Sequence, residues 1–311
     1  MDTLMQAIQI DEYGGPDVLQ LRALPVPVPA EGEVIVKVAA AGVGPWDAWI
    51  RAGKSVLPQP LPLTPGSDIA GVVVQAGPGV KEFAAGDEVF GVTNRRFTDG
   101  YAEFARARVD MIAAKPPGLA FEQAASMPVI AVTAWQMLHE FAGVKAGQRV
   151  LILGGAGNVG GYAVRLARIA GAEVVATASG EQADFVRATG ATEVIDRSMT
   201  ATNSYHGSFD VVIDTVGGRA LEHAYALVRQ GGVIVSAVEK PDVRKIAQQG
   251  VRADFLLVGV RTPVLEKLAG LVIDGQLGTR VGDVLPLAAA RLAHQMLEGV
   301  KHKPGKILLI P

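Results

Sequence analysis

Apolar positions along this 311-residue chain follow two rhythms. Up to about Phe121 they come as short runs: Glu33–Ala39, Ile69–Gln75, Asp87–Thr93 and Gly100–Ala105. Prolines at 25, 27 and 29, and again at 58, 60, 62 and 65, mark the segments between as extended loops, because proline fixes φ and lacks a donor. Short strands broken by frequent turns predict a compact, barrel-like β domain. From Glu122 the pattern changes to alternating helix and strand. Residues 122–141 read as a helix that Pro128 kinks or divides, and strands are predicted at 149–153, 173–177, 192–195, 210–214, 233–238 and 255–259. Near-continuous apolar runs such as Val233–Val238 suit strands covered on both faces. This alternation predicts an α/β fold with a doubly wound parallel sheet. A helix over Leu287–Glu298 and a last strand, Lys306–Ile310, follow, and that strand is expected to return to the first domain.

The run from Val150 to Gly160 carries the most chemistry. A buried strand feeds a glycine turn that opens a helix, and Gly155, Gly157 and Gly160 fit G-x-G-x-x-G. Gly155 is expected to permit the tight turn, Gly157 to let the backbone approach a pyrophosphate, and Gly160 to let helix and strand pack closely. Ala156, Asn158 and Val159 complete the loop over the phosphates, where the helix dipole favours negative charge. A helix from Tyr162, a stop at Gly171 and a second strand at Glu173–Thr177 complete one βαβ unit.

The end of that second strand bears on which nucleotide is bound. Enzymes that prefer NAD place an acid there for the ribose 2′-hydroxyl, and here the position is Ala178. With no carboxylate to repel a 2′-phosphate, Ser179 as a donor and Arg197 as a charged fork favour NADPH. The plainer roles are a helix cap for Ser179 and a solvated surface charge for Arg197.

Composition narrows the classes. A formal charge of −2 with no run of like charge argues against a nucleic-acid or membrane-surface binder. The absence of cysteine excludes disulfides, thiolate metal sites and a cysteine nucleophile. Neither a basic-then-apolar leader nor an apolar run of spanning length is present, so the expectation is a soluble cytoplasmic protein.

Read together, Tyr13–Leu19, Gly42–Asp47, Thr64–Gly71, Gly86–Phe90, Gly100–Glu103, Val132–Trp135 and Gly305–Leu308 resemble the medium-chain dehydrogenase/reductase superfamily. The nearest branch is that of the zinc-independent, zeta-crystallin-like quinone oxidoreductases. The resemblance implies a GroES-like catalytic domain over 1–121, completed by about 264–311, and a Rossmann NADP-binding domain over 122–263. It places the active site between them and implies a homodimer built through an edge strand, for which Phe255–Gly259 is suited. It sets Thr133 toward the nicotinamide, Thr215, Val216, Ser236, Ala237 and Val238 near ribose and nicotinamide, and Lys306 within reach of the cofactor. Zinc members would have metal ligands at Gly44 and Ser67–Asp68, and neither glycine nor serine suits zinc. The histidines at 139, 206, 223, 294 and 302 show no ligand spacing.

These readings converge on hydride transfer without a metal. A quinone or an α,β-unsaturated carbonyl suits such chemistry, because its conjugated oxygen takes the developing charge. Trp46 and Trp49 are candidate walls of an apolar pocket for a planar substrate. Relatives often carry asparagine where Gly44 stands and tyrosine where Trp49 stands, and both departures touch the substrate side. No side chain is required as proton donor; water or a cofactor hydroxyl serves. An enoyl-thioester reductase and a catalytically silent NADPH-binding scaffold remain the alternatives.

Overall fold

A computed structural model describes residues 3–57, 59–198, 203–247 and 250–311. The chain forms two compact units, Met1–Val129 with Val260–Pro311, and Ile130–Gly259.

The first unit opens with β1 (Leu4–Gln9) and β2 (Gln20–Pro25), which pair antiparallel. The long strand β3 (Glu33–Val43) pairs with β4 (Asp68–Ala76), and β5 (Glu88–Val92) lies beyond it. β6 (Phe104–Arg108) pairs with β3, and β7 (Ile112–Ala114) pairs with β5. Helix α1 (Pro45–Arg51) follows β3 directly, with proline at its first position, where no helical donor is lost. Inward residues of these strands, among them Val36, Val73, Val89 and Ile112, form one core with Tyr101.

Helix α2 (Phe121–Ala125) packs on β3, β4 and β5 and so stays with the first unit. The division therefore follows Val129, although the change from strand to helix rhythm comes earlier, at Phe121. The predicted 122–141 helix is divided at Pro128 into α2 and α3 (Pro128–Trp135), and its end, Gln136–Ala142, widens into a π-helix.

Among the described residues the second unit holds six parallel strands: β8 (Arg149–Leu153), β9 (Glu173–Ala178), β10 (Glu193–Asp196), β11 (Phe209–Asp214), β12 (Val228–Ser236) and β13 (Arg252–Phe255). Their order in the sheet is β10-β9-β8-β11-β12-β13. The order reverses between β8 and β11, and open sheets of this kind bind ligands at the carboxyl ends of such strands. Helix α4 (Asn158–Ile169) follows β8 and packs on it and on β9.

The edge strand is displaced from the expected 255–259. It ends at Phe255, because both backbone groups of Gly259 are taken by the Gln136 side chain, at 3.1 Å each. The chain re-enters the first unit at Val260. Thr262 Oγ1 donates there to the carbonyls of Val109 (3.1 Å) and Ile112 (2.6 Å), which draws residues 260–263 away from the expected nucleotide domain. After α5 (Thr262–Ile273), β14 (Val281–Pro286) and β15 (Lys306–Ile310) close a seven-stranded sheet, with β15 antiparallel to β3. Strand β14 was not among the predicted elements. Its short, part-buried pattern carries little apolar alternation.

Candidate functional site

In the second unit, β8 runs into a turn whose backbone strain is at Gly154 rather than Gly155. Gly154 adopts φ +80°, and its N–H donates to Thr177 Oγ1 at 2.9 Å. Gly155 is needed for packing: a methyl there would meet Ala176 Cβ at 2.8 Å and Val186 Cγ1 at 3.1 Å. Gly157 caps α4, and a Cβ there would meet only the Gly154 carbonyl, at 3.3 Å, so the surface above stays open to a close-lying group. A Cβ at Gly160 would run into the Gly154 carbonyl. The four glycines thus bring the start of a twelve-residue helix onto the end of β8. That arrangement presents backbone donors and a positive dipole end to an anion.

The neighbouring strand ends are fixed by Asp214, a residue that sequence reasoning passed over. Fully buried, it accepts from the Val216 N–H (3.0 Å) and the Gly217 N–H (2.8 Å) through Oδ1, and from Ser236 Oγ (2.6 Å) through Oδ2. Thr215 Oγ1 donates to the Leu153 carbonyl at 2.7 Å, which sets Thr215 and Val216 beside the glycine turn. Ser236 is itself buried, and its oxygen accepts from the N–H groups of Val238 and Glu239. Its place is therefore to shape the loop, while Ala237 is half-buried and Val216 and Val238 present exposed apolar surface. The signal for Asp214 was present as an acid ending an apolar strand and followed by Thr-Val-Gly-Gly.

Ala178 ends β9 and pairs with Asp196 on β10, so the Arg197 N–H reaches the Ala178 carbonyl at 2.8 Å. Ser179 and Arg197 therefore leave adjacent strand ends. Ser179 Oγ donates to Gln182 Oε1 at 3.2 Å, and Arg197 is exposed. Thr133 is buried on α3.

The first unit holds a buried polar cluster that the sequence reading did not assemble. Lys306, expected to reach a cofactor, is fully buried and pairs with the buried Asp68 at 2.8 Å. The register explains how it gets there. Leu308 of β15 pairs with Gly42 of β3, and Gly42 pairs in turn with Asp68 of β4. A methyl at Gly42 would meet Lys306 Cε at 2.7 Å and Asp68 Cβ at 2.9 Å, so glycine clears a lane for the lysine to cross β3. Asp68 Oδ1 also accepts from the Val129 N–H at 3.1 Å. The half-buried Trp46 closes the lane: its ring centroid lies 4.2 Å from Lys306 Nζ, and its Nε1–H donates to Ser67 Oγ at 3.2 Å. Any side chain at Gly44 would fall inside that indole. Trp49, by contrast, lies exposed on α1.

Asp47 completes the cluster. Its Oδ2 accepts from the Gly44 N–H (2.8 Å) and Tyr101 Oη (2.9 Å), while Oδ1 is buried without a hydrogen-bond partner among the described residues. Burial pushes the Asp47 carboxyl up to about 7 against the pull of the Lys306 charge and its two donors. An ion pair between Asp47 and Arg51 is not formed. Arg51 turns instead to the carbonyl of Gly14 (3.0 Å), to His294 Nδ1 (3.0 Å) and to Glu298. Burial and the adjacent guanidinium drive the His294 imidazole down to about 3, so it accepts as a neutral ring.

The positions that the superfamily resemblance assigns to zinc ligands do not fit a metal. Asp68 is already matched by an ammonium, Ser67 receives the indole N–H, and an aromatic ring fills the space beside Gly44. Among the described residues no three His, Asp or Glu side chains cluster as a ligand set.

Two outcomes follow. The folded chain holds the Asp47 proton up to about pH 7, whereas the unfolded chain releases it near 3.8. Stability is therefore expected to fall as pH rises through that interval and to level off above it, and Asp47→Asn is expected to flatten the slope in urea titrations. Gly160→Ala is expected to cost about 1–3 kcal/mol, read by thermal melts.

Two family descriptions match the chain: "Alcohol dehydrogenase GroES-like domain" over residues 30–129 and "Zinc-binding dehydrogenase" over 189–309. A quinone oxidoreductase of Mus musculus is 32% identical, covering 99% of this chain and 98% of the relative. An Arabidopsis thaliana chloroplastic protein named NADPH-dependent alkenal/one oxidoreductase is 34% identical, over 99% of this chain and 80% of its own length. The solved quinone oxidoreductase of Coxiella burnetii superposes with a TM-score of 0.91 at 33% identity, covering 99% of this chain and 100% of that one. With a GroES-like β unit, a doubly wound nucleotide-type sheet and full-length relatives of this kind, the chain belongs to the quinone oxidoreductase branch of the medium-chain dehydrogenase/reductase superfamily.

Proposed function

We propose that this oxidoreductase uses NADPH to reduce quinones or α,β-unsaturated carbonyls and that it does so without a metal. The observation that carries the reading is the Lys306–Asp68 pair under Trp46 at the positions where zinc relatives hold their ligands. A metal-free site favours acceptors whose own conjugation spreads negative charge over simple aldehydes, which gain more from a Lewis acid. The names of the mouse and Arabidopsis relatives support the same acceptor classes.

The glycine turn and the start of α4 would hold the pyrophosphate, with Thr215, Val216, Ala237 and Val238 against the nucleoside and ring. Ser179 and Arg197 would meet a 2′-phosphate, where Ala178 offers no opposing carboxylate. When bound, the reduced nicotinamide supplies a hydride to an electrophilic carbon. The chain's own residues position the phosphates and the apolar rings, and water or a cofactor hydroxyl supplies the proton that the acceptor oxygen takes up. Trp46 and the exposed Trp49 would line the acceptor side. The outer strand β13 would pair two copies as a homodimer.

Arg197→Ala is expected to weaken NADPH at least about tenfold and to leave NADH unchanged, since one charged fork to a phosphate is lost. Equal affinities before and after would remove the phosphate assignment. NADPH oxidation is expected with quinones or enones. Turnover on acyl-thioesters alone would favour an enoyl reductase, and binding without turnover across the panel would favour a scaffold. Light scattering is expected to give twice the chain mass of 32.4 kDa, and a monomer would exclude the β13 pairing.

A further inference from the structure

Trp46 is built as a polarised surface. One of its ring contacts is a buried ammonium, Lys306 Nζ, 4.2 Å from the centroid. Its N–H is held by Ser67 at 3.2 Å, and Gly44 leaves the space its benzo edge fills. Asp68, 2.8 Å from the ammonium, and the glycine lane at Gly42 keep the cation in place. Trp46 is nonetheless only half-buried, so part of the residue is open to solvent. An ordinary indole has an electron-rich face and stacks best on electron-poor rings. A cation close to the ring attracts that electron density and leaves less for other partners.

We propose that Trp46, polarised by Lys306, is the specificity-determining platform for the acceptor ring and binds its reduced, electron-richer form better than its oxidised form. The inference rests on the acceptor class proposed above. A quinone that accepts a hydride and a proton becomes a hydroquinone, so its ring gains the two electrons of the broken C–H bond. A platform matched to the electron-rich ring strengthens its contact as the reaction proceeds. Interactions that grow toward the transition state raise kcat rather than only lowering KM. The ammonium takes no part in proton transfer, because its role is the fixed charge that Asp68 and the indole hold. Lys306 is accordingly a positioning residue that acts through Trp46.

The test compares two neutral probes by calorimetry: a naphthalenediol for the reduced form and naphthoquinone for the oxidised form. The chain has no cysteine, so thiol addition does not consume the quinone. Wild type is expected to bind the diol more tightly. Trp46→Leu is expected to weaken it about tenfold, whereas Trp46→Phe keeps most of the affinity. The double variant Lys306→Met with Asp68→Asn removes both charges at near-constant volume. It is expected to reverse the preference toward naphthoquinone and to lower kcat about tenfold, with NADPH affinity and cooperative unfolding retained. Unaltered diol binding in Trp46→Leu, or an unaltered preference in the double variant, overturns the inference. Wild type that shows the diol preference but reduces no quinone overturns the proposed reaction and leaves the platform standing.

Discussion

The first unit is organised around one buried ion pair. An ammonium inside a β-sheet is tolerated only where a carboxylate and further polarisable groups replace its water. Asp68 and the face of Trp46 do this for Lys306, and the demand reaches outward from them. β15 must return beside β3 in the register that sets Leu308 against Gly42, and positions 42 and 44 must lack side chains. Removing either charge alone leaves the other buried and unmatched, a loss on the order of 3–5 kcal/mol. Residues more than two hundred positions apart in sequence are thereby committed to one place.

The same cluster accounts for the protonation of its neighbours. Asp47 lies fully buried near both Lys306 and Asp68, and desolvation prevails over the lysine's pull. Its second oxygen has no hydrogen-bond partner among the described residues, which suits a carboxyl that keeps its proton to near neutrality. Tyr101 donates to it, and burial together with the Asp47 charge pushes the phenol well above its usual range. Tyr101 therefore serves as a neutral donor. Its ring packs edge-on to His294, which burial and the adjacent Arg51 keep neutral. The carboxyl groups of Asp47 and Asp68 thus receive neutral donors, the Tyr101 hydroxyl and the N–H groups of Gly44 and Val129, besides the Lys306 ammonium.

The second unit solves a different problem, the presentation of backbone donors to an anion. Here the key acid is structural. Asp214 spends its acceptors on Val216, Gly217 and Ser236, tying the carboxyl ends of β11 and β12 together beside the glycine turn. The exposed faces of Val216 and Val238 are left as apolar surface because the polar groups around them are already bonded to one another.

Much of this was legible in the sequence. Apolar periodicity and the glycine spacing specify the parallel sheet, the β8–α4 turn and the order of the elements, because these depend on contacts within some thirty residues. The strand ends at Ala178 and Asp214 were readable for the same reason. What tertiary structure decided is which distant groups meet. Only the β15–β3–β4 register turns Lys306 from an expected cofactor contact into the partner of Asp68, and only the volume beside Gly44 shows that Trp46 fills it. The edge strand ends at Phe255 because a side chain from Gln136 captures the Gly259 backbone. Local propensity is written in neighbouring residues, whereas burial of a charge, close approach across strands and competition for a backbone donor depend on where the folded chain brings remote residues.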